Sequence, residues 1–235
     1  MRRLVVLLAG GAGLVVTGCG VSQEARTPSP PQSAPSSTTE RATPPATPPV
    51  APTEPAEARP ATPSNPPRDA VLSIPAIGVN GLRVVAYRGR TDDAPGTRIQ
   101  NRGRAASPHG PRGGVGPGGV GNYQVTAHRL SSTRAFVDLP DLDRGDRVHV
   151  TAGGTRWTYE IVRTRSTSFR SARSLAEQRA AVPGQPGREP RRAFITLSTC
   201  ATPEDHAQGN YWSDAFDNPE HRIDKIGVLV RTSAS

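Results

Sequence analysis

The chain has 235 residues, two cysteines and a formal net charge of +9, and arginine supplies almost all of the positive charge. A balance this basic often indicates a nucleic-acid partner, but the N-terminal residues predict an exported protein, which meets anionic lipids and wall polymers instead. We therefore predict no nucleic-acid partner. An arginine-rich soluble surface is the simplest interpretation of the charge.

Residues 1–20 have the pattern of a signal peptide. Two arginines precede an apolar run that is too short and too rich in glycine for a good membrane span. The run ends in Val-Thr-Gly-Cys, which resembles a bacterial lipobox, so we predict that Cys19 is lipidated. An uncleaved anchor or an ordinary signal peptide is the alternative. In either case we expect an extracytoplasmic protein, anchored to the cell membrane and facing the cell wall.

Residues 21–69 are rich in proline and have almost no large apolar side chain. Such a segment buries too little surface to offset the entropy lost on ordering, so we predict a disordered tether. Residues 70–235 have a different composition and are long enough for one domain with one core.

Short strands dominate the predictions for this domain, and turn residues separate several of them. A short helix is predicted over 172–181, before Pro183 and Gly184, and a helical turn over 136–142. Seven or so strands with little helix favour a closed barrel or a sandwich, an all-β fold. The predicted strands are 71–74, 82–87, 122–130, 147–151, 155–164, 193–200 and 226–230.

Two of these strands carry a reactive side chain at the end of a polar face. In YQVTAHR and FITLSTC, alternate residues lie on opposite faces, and His128 and Cys200 each end a polar face. If Cys19 carries lipid, Cys200 has no partner in the chain and is either a reactive thiol or a buried, inert one. Its place on the polar face favours the reactive thiol. A neighbouring histidine can take the proton of such a thiol, provided that the two strands are adjacent.

Several segments resemble the sortase family, in particular the class E enzymes of actinobacteria. TLSTC at 196–200 matches the TLxTC motif, and GNYQVTAHR resembles the strand that ends on the catalytic histidine. FVDLPDLDRGDRVHV resembles the segment after that strand, and Arg222 resembles the arginine that opens the last strand. The resemblance extends from about Val71 to Val230, which is nearly the whole predicted domain.

This resemblance implies an eight-stranded β-barrel and a cysteine transpeptidase. Cys200 would attack a threonyl carbonyl in a C-terminal LPxTG-type sorting signal of an exported protein, and a thioester would form. An amine from a peptidoglycan precursor or a pilin would then release the acyl group. His128 would act as general acid and base, Arg222 would stabilise the oxyanion, and Ser198 and Thr199 would bind substrate. No cofactor and no metal are implied.

Some features depart from the family pattern. Ala127 stands where a glycine is frequent, and the segment 201–221 is longer than in many members, which leaves Arg129 and Arg231 as rivals of Arg222. Acidic and histidine residues in that segment match neither the EF-hand nor the His-Glu-x-x-His spacing, so we predict a solvated loop.

Two other functions are alternatives for the same sequence. One is a non-catalytic lipoprotein that uses a sortase-like barrel as a binding module, since a fold alone does not establish activity. The other is an enzyme like the L,D-transpeptidases, although their Ser-x-Gly-Cys-[Ile/Val]-Arg motif is missing here.

Overall fold

Eight strands close into a barrel in the computed structural model of the chain, which describes residues 65–235. The predicted signal peptide, Cys19 and nearly all of the predicted tether lie outside these residues. The order around the barrel is β1-β2-β3-β4-β7-β8-β6-β5. The strands are β1 Ala70–Ile74, β2 Val79–Arg88, β3 Ala105–His109, β4 Gly121–Thr126, β5 Arg147–Ala152, β6 Thr155–Ser168, β7 Ala193–Cys200 and β8 His221–Ala234.

Three short α-helices lie in the connections: α1 Ala94–Gln100, α2 Ala172–Arg179 and α3 Thr202–Ala207. Single 3-10 turns lie at Pro75–Ile77 and Leu139–Asp141. The side chain of Asp93 accepts a hydrogen bond from the Gly96 amide at 2.9 Å and so caps α1. Ser171 caps α2 in the same way, through the Ser174 amide. Among residues 65–235 there is no helix with the length and apolarity needed to cross a membrane.

The closed barrel confirms the all-β prediction and excludes the sandwich. All seven predicted strands are present, but β4 ends at Thr126, so His128 lies in the following loop. β3 was missed because Ala-Ala-Ser-Pro-His contains no β-branched residue and no phenylalanine, tyrosine or tryptophan, and because it carries a proline. It completes the barrel by pairing with β2 in parallel and with β4 in antiparallel orientation.

The barrel interior is filled by one face of each strand. Tyr123 and Val125 of β4 and Ile195 and Leu197 of β7 are at most 1% exposed and belong to one core cluster. This confirms the alternation expected for both strands. Residues 65–235 contain all eight strands and this core, so the segment has what a domain needs to fold alone.

Lys225 of β8 fixes the 3-10 turn that follows the loop after β4. Its buried ammonium donates to the carbonyls of Pro140 at 2.8 Å and Leu142 at 2.5 Å. Burial lowers the pKa of Lys225, and the nearby carboxylates of Asp143 and Asp141 oppose that effect.

We predict that Leu197→Ala destabilises the segment 65–235 by about 2–5 kcal/mol, because it leaves a cavity at a fully buried position. Urea unfolding followed by tryptophan fluorescence measures the change. Leu130→Ala is the matched control, since Leu130 is 48% exposed. Equal losses for the two variants would contradict the assignment of Leu197 to the barrel core.

Candidate active site

The pairing of β7 with β8 places Cys200 directly opposite Arg222. Residues opposite each other in an antiparallel pair have side chains on the same face, with Cα atoms about 4.5–5.5 Å apart. The thiol is partly buried, and the Arg222 side chain is 1% exposed. A sulfur and a permanent positive charge therefore lie side by side at the end of β7.

His128 follows β4, which pairs in parallel with β7. Thr126 is opposite Ser198, and the amide of Ala127 donates to the Ser198 carbonyl at 3.3 Å. The hydroxyl of Thr199 then donates to the Ala127 carbonyl at 2.8 Å. His128 is the next residue, so it lies level with Cys200. Within residues 65–235 no hydrogen bond joins the imidazole to the thiol.

The imidazole of His128 is oriented by α1. Its Nε2 atom lies 2.6 Å from Oδ1 of Asn101, which caps the end of that helix. Because an amide oxygen can only accept, Nε2 carries the proton in this contact and Nδ1 is free of it in the neutral ring. The loop after His128 folds back, and the Phe136 amide donates to the His128 carbonyl at 3.0 Å.

The guanidinium of Arg222 is held on three sides. Nη1 donates to the Pro219 carbonyl at 2.7 Å, Nε donates to Asp92 at 3.3 Å, and the Phe169 ring lies 4.8 Å from the central carbon. Nη2 is buried and has no hydrogen-bond partner in the described part of the chain. Buried donors are rarely left unpaired, so this atom is a candidate to receive a ligand oxygen.

Asp92 is the carboxylate partner of Arg222. It lies in the loop before α1 in a left-handed conformation, with φ 60°, and its side chain is 8% exposed. One oxygen faces Arg222, and the other is buried without a hydrogen-bond partner among residues 65–235. Asparagine and aspartate tolerate this backbone conformation better than most residues.

These surroundings shift the protonation of the thiol and the imidazole. Burial raises the pKa of the Cys200 thiol, an effect that the charge of Arg222 opposes and the charge of Asp92 reinforces. Burial lowers the pKa of the His128 imidazole, and Asp92 opposes that shift. Both directions follow from the cost of a charge in a poorly hydrated place. A protonated thiol and a neutral imidazole are therefore the resting pair near pH 7.

The two rival arginines are placed differently from Arg222. Arg129 donates through both terminal nitrogens to the carboxylate of Glu204 on α3, and one of them is 3.4 Å from the Cys200 carbonyl oxygen. Arg231 is exposed and lies nine positions after Arg222 on β8, about 30 Å along a strand. Arg129 thus lies next to Cys200, but its charge is paired with Glu204. Arg231, in contrast, is far from the thiol.

Ser198 and Thr199 are buried, at 3% and 2% exposure. The hydroxyl of Ser198 donates to Asp224 at 2.6 Å, and that carboxylate also accepts from Thr167 and Gln178. Burial raises the pKa of Asp224, while the bonds from Ser198 and Thr167 oppose the shift. Since both hydroxyls have internal partners, direct contact with a substrate requires that these bonds be replaced.

The polar face of β7 is covered rather than open to solvent. Gln178, at the end of α2, is 1% exposed and donates to Ser198 at 3.2 Å and to Asp224 at 2.9 Å. The side-chain amide of Asn122 on β4 donates to the Gln178 carbonyl at 3.0 Å. α2 thus closes the outer face of β4 and β7 below the thiol.

The segment between Cys200 and Arg222 begins with α3 and is tied to β8. Asp205, buried on α3, accepts from the amide of His221 at 2.9 Å and lies 2.6 Å from its imidazole. After α3, the segment carries two exposed aromatic residues, Tyr211 and Phe216, whose exposed fractions are 72% and 46%. Aromatic side chains therefore lie in the loop that leads directly into Arg222.

Sequence reasoning missed Asp92, Asn101 and Gln178. Asp-Asp-Ala-Pro is a helix start, with an aspartate cap and a proline in the first turn, and it would have identified α1 and its two flanking residues as a structured loop. The contact of Asp92 with Arg222 joins residues 130 positions apart, and no local pattern indicates it.

Comparison with protein families identifies a Sortase domain over residues 72–215. Among curated proteins there is no significant match.

Three solved structures illustrate the likeness of the fold. SrtA sortase from Actinomyces oris is 18% identical, with 70% of this chain and 81% of that chain covered and a TM-score of 0.53. Sortase E1 from Streptomyces coelicolor, solved with a tripeptide in its active site, is 19% identical, with coverages of 72% and 91% and a TM-score of 0.51. Sortase E from Streptomyces avermitilis is 24% identical, with the same coverages and a TM-score of 0.50.

We predict that the rate at which iodoacetamide alkylates Cys200 increases with pH. The midpoint of this increase should lie above about pH 8.5, which is the ordinary pKa of a cysteine thiol. The reason is the burial that raises the thiol pKa, because only the thiolate reacts. Initial rates between about pH 6 and about pH 10 measure the midpoint. A rate that is already constant below about pH 7 would contradict a Cys200 thiol that is protonated at neutral pH.

We also predict that Asp92→Asn makes the thiol more reactive, since the carboxylate raises the Cys200 pKa and offsets Arg222. The alkylation rate at neutral pH should increase on the order of threefold, which corresponds to about half a pKa unit. The free energy of unfolding should fall by about 1–3 kcal/mol, because buried Arg222 loses its charged partner.

Asp93→Asn is the control for this substitution. It removes the same charge one residue later, from the carboxylate that caps α1. Its unfolding free energy should stay within about 0.5 kcal/mol of wild type, because asparagine caps a helix about as well as aspartate, and its alkylation rate should stay at the wild-type value. An unchanged rate in Asp92→Asn would rule out an electrostatic influence of Asp92 on the thiol.

Proposed function

We propose that this chain, which belongs to the sortase family, cleaves a C-terminal LPxTG-type sorting signal of exported proteins and transfers them to an amine. Membership of the family establishes the general activity, that of a cysteine transpeptidase. The sorting motif, the acceptor and the roles of individual residues are the proposed part. The observation that carries the proposal is the pairing of Cys200 with Arg222, whose buried Nη2 has no partner among residues 65–235.

In the first half of the reaction, the sulfur of Cys200 attacks the threonyl carbonyl carbon and its proton passes to His128. The carbonyl oxygen becomes an oxyanion, and Nη2 of Arg222 donates to it. The carbon–nitrogen bond then breaks, and the imidazolium returns its proton to the departing amine. A thioester to Cys200 remains.

In the second half, the acceptor amine attacks the thioester carbonyl. His128 takes a proton from the amine, the same oxyanion forms, and the carbon–sulfur bond breaks. The proton returns to the sulfur, so the thiol and the neutral imidazole are regenerated with a new amide bond. A lysine of a pilin or an amine of a peptidoglycan precursor has the chemistry required of the acceptor.

The resting protonation states of Cys200 and His128 are compatible with these reaction steps. Burial favours the thiol over the thiolate and the neutral imidazole over the imidazolium. Nucleophile and base therefore start uncharged, and the charges develop only as the tetrahedral intermediate forms beside Arg222. Stabilising charge at that moment, rather than before it, is what accelerates the chemical step.

The proposal places the catalytic domain outside the cytoplasmic membrane, where members of the family act. Lipidation of Cys19 would anchor the chain, and residues 21–69 would separate the barrel from the bilayer. About 3.1 Å per residue in an extended proline-rich chain gives a reach on the order of 150 Å at most.

We predict that residues 65–235 cleave fluorescent LPxTG- or LAxTG-type peptides and, with triglycine present, form the ligated product. Cys200→Ala should abolish both activities. Arg222→Ala should lower kcat/KM at least about tenfold, about 1.4 kcal/mol of transition-state stabilisation. Product formation followed by chromatography measures all three proteins.

Arg231→Ala is the matched control, since it removes an exposed arginine from the same strand, and it should retain wild-type turnover. A loss in Arg231→Ala without one in Arg222→Ala would move the oxyanion role away from Arg222. Equal turnover by wild type and Cys200→Ala would remove the nucleophile. Absence of turnover on any sorting peptide would favour the binding module.

A further inference from the structure

A cavity of about 810 Å³ lies on the outer face of the barrel, beneath the segment that joins α2 to β7. Its volume is in the range of small-molecule sites. Phe194, Ile226 and Val228 form part of its floor. Phe194 is six positions before Cys200 on β7, about 20 Å along the strand, and the buried Gln178 lies over the strand between them. The cavity is therefore separate from the candidate active site.

Arginines dominate the rim of this cavity. Five line it against a single acidic residue, Glu189, and no ion pair within the described range 65–235 involves any of the six. All five are exposed. Arg163 and Arg188 each use one guanidinium nitrogen in a hydrogen bond, to the Pro183 carbonyl and the Gln185 side chain, and keep their other N–H groups for an anion. The five are Arg144, Arg163, Arg188, Arg191 and Arg192.

The floor, in contrast, is apolar. Val182, Ile226 and Val228 are 3–7% exposed, yet they lie outside the core cluster of the barrel. Phe194 and Val162 extend the same surface. A ligand that fills the cavity thus meets hydrocarbon below and positive charge above.

A β-bulge and a hydrogen bond shape the cavity. The register between β6 and β8 shifts between Ile161 and Arg163, so Val162 is an extra residue and both Val162 and Arg163 line the cavity. Bulges commonly redirect side chains in this way. Nη2 of Arg163 donates to the Pro183 carbonyl at 2.7 Å, which holds the covering segment in place.

We propose that this cavity binds an anionic phospholipid, with the phosphate between the arginines and part of an acyl chain on the apolar floor. Guanidinium groups match phosphate oxygens in two-point hydrogen bonds, and the floor adds affinity that a water-soluble phosphate cannot gain. A peptide strand is a poorer fit, because β6, β7 and β8 are each paired on both sides and offer no free edge. Such binding would hold the barrel on the membrane surface independently of its peptide chemistry.

The test uses residues 65–235 and monomeric dihexanoyl phosphatidylglycerol, with binding measured by calorimetry. We expect this lipid to bind at least about tenfold more tightly than dihexanoyl phosphatidylcholine or glycerol 3-phosphate. A rim variant carries Arg188→Gln, Arg191→Gln and Arg192→Gln. It should lose at least about tenfold in affinity and, because these positions are exposed, keep the wild-type unfolding midpoint.

A matched variant, Arg83→Gln with Arg156→Gln and Arg231→Gln, removes the same charge from exposed positions elsewhere on the barrel. It should bind the lipid within about twofold of wild type. Equal losses in the two variants would overturn the proposal in favour of attraction to the net charge. If glycerol 3-phosphate bound as tightly as the lipid, the acyl chain would contribute nothing, and the cavity would be a phosphate site and not a phospholipid site. Tighter binding of an alternating Leu-Glu peptide would assign it to a protein segment, and no binding of any probe would refute it.

Discussion

The register between β7 and β8 is the constraint on which the candidate site depends. Cys200 lies opposite Arg222 because Phe194 to Cys200 pair in unbroken sequence with Val228 to Arg222. A slip of one residue would turn one of the two side chains to the other face of the sheet. It would also turn Ile195 and Leu197 out of the core, where both are fully buried. Hydrophobic burial inside the barrel therefore fixes the position of the charge beside the sulfur.

Burial of charge at this site has opposite consequences for stability and for chemistry. Arg222 and Asp92 are both largely removed from water, and a buried ion pair seldom adds much net stability. Asp92 also holds a left-handed backbone conformation, which is uncommon outside glycine. The same loss of water raises the thiol pKa and lowers the imidazole pKa. Strain and desolvation are thus concentrated where the proposed reaction needs an organised, poorly hydrated environment.

Much of the fold follows from local pattern. Alternation of apolar and polar residues located β7 and most of β4, because one face of each strand is buried in the barrel. β3 has no such pattern, and α1 was recognisable only from its aspartate cap and proline. The resemblance of TLSTC and of the histidine strand indicated Cys200, His128 and Arg222 as a set. It did not indicate the role of α2, whose Gln178 covers Ser198 and so occupies the face on which a substrate contact was expected.

The remaining features of the site come from contacts between distant parts of the chain. Asp92 reaches Arg222 from the loop before α1, and Asn101 reaches His128 from the end of that helix. Neither contact has a spacing that could be read in advance, since each depends on how the connections pack on the closed barrel. The basic cavity has the same origin, because its arginines come from three separate segments and converge only in the fold.

The central claim is that Cys200 carries the substrate as a thioester. Intact-mass spectrometry of residues 65–235, quenched with acid during turnover of a sorting peptide, tests it most directly. We predict an adduct with the mass of the peptide's N-terminal fragment, mapped to Cys200 and lost on adding an amine. Peptide cleavage without any adduct, or an adduct mapped to another residue, would contradict it.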